Sequence, residues 1–235
     1  MIDEFLDRFV ERFLFSDLDS MIKIDVPTGQ QYGNATFPIM MATCSGMELL
    51  GGLIGHETFN PEDRDGSDRR RFNRYWDQAL KTTVAEYGSI PGGPRRLRSL
   101  VRNPLAHSFV TGPGIAFVRE PVGSTNQNQH LKVAIATNGR PVLIIDAVQF
   151  AMDLRKSYQG VVKPILRGEP DHFGVGVNPT TRASMQRRLD EMIAGYERIA
   201  EHKDVGTLEA NWVATDTFEA TQVNTAINLY SDTPE

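Results

Sequence analysis

The chain has 235 residues, of which 40% are apolar and 23% charged, and a formal net charge of −5. That length suits one large domain or a compact domain with a smaller appendage, and the composition is that of an ordinary globular protein. The single cysteine, Cys44, excludes an intramolecular disulfide framework and a cysteine-based zinc cluster.

The opening stretch, MIDEFLDRFVERF, alternates acidic and apolar residues without a basic start or a cleavage site, so it does not read as a signal peptide. Ile2, Phe5, Leu6, Phe9, Phe13, Leu14 and Leu18 fall at helical spacing, which predicts a helix over residues 2–23. Pro27, Gly29, Gly33 and Asn34 then mark a connection. From about 38 to 55 the chain is apolar nearly all round, starting at Pro38, a residue suited to a first helical turn. The longest apolar run, FPIMMATCSGMELLGGLIG, is interrupted by Glu48 and several glycines. It therefore predicts a buried helix in the middle of a bundle, where Ala42, Ser45, Gly46, Gly51 and Gly52 permit close approach. No membrane partner is expected.

A third helix is predicted from about 68 to 87, burying Phe72, Tyr75, Trp76, Ala79 and Leu80. After the break SIPGGP, a fourth runs from about 94 to 102 with Leu97, Leu100 and Val101. Between Arg64 and Arg102 stand ten basic residues against four acidic ones, in a chain that is acidic as a whole. Two solvated helix faces would account for this, as would a surface for anionic polymers, held chiefly by Lys/Arg neutralisation. On the second account Arg95, Arg96 and Arg98 are RNA-binding candidates.

The period then changes. GIAFVRE, LKVAIAT and PVLIID read as strands of a small antiparallel sheet, and the Asn-Gly between the last two is a strong hairpin signal. Helices follow from about 147 to 166 and from Thr180 to about 202, and the chain turns polar after Asp216. The whole predicts a mainly α (α+β) protein: a helical bundle over 1–110, a β-hairpin-containing extension with two helices over 111–215, and a polar tail over 216–235.

The fourth helix ends in VRNPLAHSF. In an unbroken helix each residue turns ~100°, which would set Arg102 and His107 roughly 140° apart. Pro104, however, biases Asn103 out of the helical region, and Asn-Pro suits the start of a new turn. Such a bend can bring guanidinium, carboxamide and imidazole toward one spot. Cleaving RNA needs a group titrating near neutrality, which histidine supplies, and a fixed cation for the crowded phosphate, which arginine supplies. Asparagine can orient either one. No metal and no cofactor are needed.

Arg102-Asn103-Pro104-Leu105-Ala106-His107 resembles the Arg-polar-x3-His signature of the HEPN superfamily, and MELLGGLIG resembles the glycine-containing helix that precedes it in some groups. The resemblance covers roughly residues 1 to 110. It implies a helical bundle, catalytic Arg102 and His107 with Asn103 beside them, and a site formed across a homodimer. The implied activity is metal-independent endoribonuclease cleavage of single-stranded RNA in a cytoplasmic toxin–antitoxin or anti-phage setting, with an antitoxin or defence-complex partner. Phe109 stands where some members carry a modified tyrosine, and Pro104 departs from the commoner pattern. The alternative functions are a non-catalytic module binding nucleic acid, nucleotide or protein, and a structural subunit of a defence complex.

A carboxylate in the most apolar helix is costly without a cation, so Glu48 is expected to support the site by pairing with Arg102, another arginine being the alternative. Cys44 is expected to be buried and inert. His56, Glu57 and Asp63, and likewise Asp171 and His172, lack metal-site spacing. The glycine-bearing loops at 112–114 and 174–179 lack the setting of a dinucleotide site, and Tyr75 and Trp76 are expected in the core.

Overall fold

The computed structural model describes residues 1–24, 35–55, 64–90, 92–102, 114–119, 129–169 and 180–202, and the side chains of 64–68, 96, 100, 102 and 196–202 lie outside the description. The fold is mostly helical with a small three-stranded sheet.

Helix α1 consists of three consecutive segments, Ile2–Phe5, Leu6–Phe15 and Ser16–Ile22, the middle one wound as a π-helix. Its buried Leu6, Val10 and Phe15 recur at spacings of four and five, wider than an α-helical face, and the looser winding keeps all three on the core. Helix α2 (Thr36–Ile54) is buried on most of its circumference, as its composition predicts. By length and hydropathy it could cross a membrane, but more than half of it is covered by the rest of the fold.

The small residues of α2 decide its contacts. A Cβ on Gly46 would stand 2.7 Å from Leu14 of α1 and 3.0 Å from Leu154, and one on Gly51 would overlap the Arg71 carbonyl oxygen. Three helices thus close on α2 where it has least bulk. The end of α2 is capped from afar: Thr180 and Arg188 donate to the Ile54 and Leu53 carbonyls at 3.0 Å each. These are groups that a helix C-terminus leaves without internal partners.

Helix α3 runs through Arg64–Tyr75, Trp76–Leu80 and Lys81–Thr83, and buries Phe72, Tyr75, Trp76, Ala79 and Leu80 as expected. A 3-10 turn, Ala85–Ser89, carries buried Tyr87. Helix α4 follows as Gly93–Leu97 and Arg98–Arg102, with Pro94 in its first turn.

The sheet corrects one expectation. Strands β1 (Ile115–Val118), β2 (Val133–Ile135) and β3 (Pro141–Asp146) are ordered β1-β3-β2. β2 and β3 form the antiparallel hairpin, but β1 lies parallel to β3, pairing Ile115 with Leu143 and Val118 with Asp146. The sheet is therefore mixed. Its central strand, VLII, is flanked on both edges, which suits an unbroken apolar run. The hairpin turn also differs from a two-residue Asn-Gly turn: the Ala136 amide reaches the Arg140 carbonyl at 2.9 Å, and the Gly139 amide reaches Ala136 at 2.8 Å. Only Gly139, at φ 76°, is left-handed in this turn, the mark of a three-residue loop ending in a glycine bulge.

β3 runs straight into helix α5 (Ala147–Ser157, Tyr158–Val162 and Lys163–Leu166). The Asp146 carboxylate caps it, accepting from the Val148 and Gln149 amides at 2.8 and 3.1 Å. Helix α6 (Arg182–His202) opens on Thr181 and Ser184, each side chain accepting from the other's amide. Phe150, Leu154, Tyr158, Met185 and Leu189 of these two helices join the same buried cluster as α1 to α4. Residues 1–193 form one compact unit.

Candidate functional site

Arg102 is the last residue of α4, and its side chain, like Asn103 and His107 entirely, lies outside the described residues. The structure thus gives the helix that carries the signature's arginine and the packing behind it. One turn before Arg102, Arg98 is 6% exposed, and its Nε stands 3.6 Å from Glu48 Oε1, itself on a residue 8% exposed. One expectation changes here. Arg98 was expected on the RNA-binding surface with Arg95 and Arg96; it faces the core instead, because a carboxylate on the central helix needs a cation within reach. Glu48 was expected to pair with Arg102 or with another arginine; Arg98 stands beside it, and the Arg102 side chain lies outside the described residues.

Of the other basic residues, Arg69, Arg70, Lys81 and Arg95 are exposed, while Arg71 and Arg74 are half-buried. Lys81 donates to Asp77 at 2.9 Å within its own helix. The side chain of Arg96 is outside the described residues. The exposed basic side chains of this region are therefore Arg69, Arg70, Lys81 and Arg95, and Arg98 is not among them.

Cys44 is fully buried, and Tyr75 and Trp76 belong to the core. The Tyr75 hydroxyl and Ser157 Oγ lie 2.8 Å apart, and burial raises the phenol well above its ordinary pKa. His56, Glu57, Asp63, Asp171, His172, residues 112–113 and the loop 174–179 lie outside the described residues.

A second cluster was not anticipated. Tyr87 on the 3-10 turn, His130 before β2 and Asp153 on α5 meet behind a cleft of about 450 Å³ that His130 and Asp153 help to line. The backbone fixes the direction of each bond. The Asp146 amide donates to His130 Nδ1 at 3.0 Å, so the proton of the neutral ring sits on Nε2. Nε2 lies 2.8 Å from the Tyr87 hydroxyl, which donates to Asp153 Oδ2 at 2.9 Å. Gln149 donates to the other oxygen, Oδ1, at 2.8 Å. Burial first, and the Asp153 carboxylate next, push the Tyr87 hydroxyl well above its usual pKa, so it serves as a donor. The one local sign of this cluster was an acid at position 153, between the apolar Phe150 and Leu154, on the core-facing side of its helix.

Comparison with protein-family models, curated proteins and solved structures finds no match to this chain.

Proposed function

We propose that the chain is a metal-independent endoribonuclease that cuts single-stranded RNA as a homodimer, with Arg102 and His107 as its catalytic pair and Asn103 beside them. The observation that supports this reading is the anchoring of α4: buried Arg98 faces Glu48 of the central helix, one turn before Arg102. A helix end held in this way is a firm base for a guanidinium that must meet a phosphate in fixed geometry. Glu48 then acts as a positioning residue, through Arg98.

In this mechanism one His107 takes the proton of the 2′-hydroxyl, and the imidazolium so formed returns it to the leaving 5′-oxygen, with Arg102 supplied by the facing protomer. The 2′-oxygen attacks phosphorus, the bond to the 5′-oxygen breaks, and a 2′,3′-cyclic phosphate is left. Arg102 stabilises the charge that builds on the phosphate oxygens, where a bidentate fork is worth most. Exposed Arg69, Arg70 and Arg95 would hold the flanking backbone. Such an activity suits a cytoplasmic toxin or anti-phage component restrained by a partner.

The test is incubation of the purified full chain with mixed RNA in excess chelator, beside Arg102→Ala and His107→Ala. Cutting by the parent and by neither variant is the expected result. RNA left intact by the parent, or cut equally by all three, removes the proposal.

A further inference from the structure

Asp153 and the cleft it lines take no part in the ribonuclease mechanism. Asp153 is 4% exposed, and a buried carboxylate is costly without a cation. Among the described residues no lysine or arginine lies within ion-pair distance of it, and its nearest basic neighbour is His130 Nε2, at 3.5 Å. His130 does not supply the charge in this arrangement, because the Asp146 amide points its hydrogen at Nδ1, the nitrogen that an imidazolium would have to protonate. The carboxylate thus lines an open cleft with its hydrogen bonds made and its charge unanswered.

The spare acceptor capacity defines what fits. Gln149 engages Oδ1 and Tyr87 engages Oδ2, one bond each, which leaves a lone pair on each oxygen. Two parallel N–H groups of a guanidinium match that pair better than an ammonium, a point charge. Val84 and Leu131 supply apolar wall for a short aliphatic stem. Exposed Lys156 and Glu86 also line the cleft, one of each sign. They match a carboxylate and an ammonium at the far end of the same ligand.

We propose that this cleft binds a small arginine-like molecule, its guanidinium on Asp153 and its α-carboxylate on Lys156. The ligand is recognised at both ends, and the volume of about 450 Å³ accommodates it.

The experiment titrates the full chain with L-arginine, agmatine (which lacks the carboxylate) and L-lysine, by calorimetry and by amide chemical shifts. The parent is expected to bind arginine at least tenfold more tightly than lysine, with shifts at His130, Gln149 and Asp153. Asp153→Asn should weaken arginine at least tenfold. Should that variant fail to fold, Lys156→Met, at an exposed position, serves instead: it should weaken arginine severalfold and leave agmatine unchanged. No binding of arginine or agmatine by the parent, equal binding of lysine, or equal loss of arginine and agmatine in Lys156→Met overturns the proposal. RNA cutting by the same preparation reports on the other site separately.

Discussion

The Arg98 guanidinium stands 3.6 Å from the Glu48 carboxylate, with both side chains buried, and so ties α4 to the central helix of the bundle. A buried pair of this kind adds little net stability over a well-packed apolar pair, yet breaking it from one side costs about 3–5 kcal/mol by leaving a charge behind. Arg98→Met is therefore expected to lower unfolding free energy by about 3 kcal/mol, read from urea midpoints at constant slope. Glu48→Gln combined with Arg98→Met should recover part of that loss. Additive losses in the double variant would show that the two side chains do not interact.

Two glycines make an opposed pair. A Cβ on Gly51 would meet the backbone of Arg71, which cannot swing aside as a side chain can. Gly51→Ala should therefore separate α2 from α3 and cost about 1–3 kcal/mol or more. Gly160 on α5 is exposed and lies within a helical segment, and a Cβ added there would meet nothing within 4 Å. Gly160→Ala should stabilise by roughly 0.5–1 kcal/mol through the unfolded chain. Thermal melts of both variants check the signs.

Much of this fold is legible in the residues because its signals are local. The small residues of α2 mark where neighbours close in, and an Asn-Gly between apolar runs marks the β2–β3 turn. The parallel β1–β3 pairing is not legible, since β2 intervenes in sequence and no local pattern records that β3 takes the central place in the sheet. Arg98 misleads for a related reason: in a run of arginines, only packing against Glu48 decides which one turns inward. The Tyr87–His130–Asp153 cluster joins residues 43 and 66 positions apart, so no spacing rule reveals it.

Buried tyrosines give the protein an alkaline limit. Tyr75, Tyr87 and Tyr158 are all raised above their ordinary values, burial being the largest cause in each. An unfolded tyrosine loses its proton near pH ~10, whereas these folded ones keep theirs, so above that pH the folded state binds more protons than the unfolded state. Stability is fully present below about pH 10 and falls as pH rises beyond it. Urea unfolding across that range should show the decline, with phenolate absorbance appearing together with loss of helix. Tyr75→Phe should shallow the slope while costing about 1 kcal/mol at neutral pH for the lost bond to Ser157. A slope unchanged by that substitution would remove Tyr75 as a contributor.

The proposed composite ribonuclease site makes a sharper demand than loss of activity in single variants. If one Arg102 and one His107 must come from facing protomers, Arg102→Ala and His107→Ala chains each lack one kind of group in both copies. Mixing the two and allowing subunits to exchange creates dimers holding one arginine and one histidine. Cutting absent from either variant alone should then return with the time course of exchange, in chelator, and should scale with the mixed-dimer fraction measured by native mass spectrometry. Exposed Arg95 supplies a control, because it lies outside the catalytic pair. Arg95→Ala should weaken RNA binding modestly, reduce its salt dependence by about one phosphate contact, and leave rescue by mixing intact. Confirmed exchange without any return of cutting would mean that the two groups do not meet across a subunit boundary.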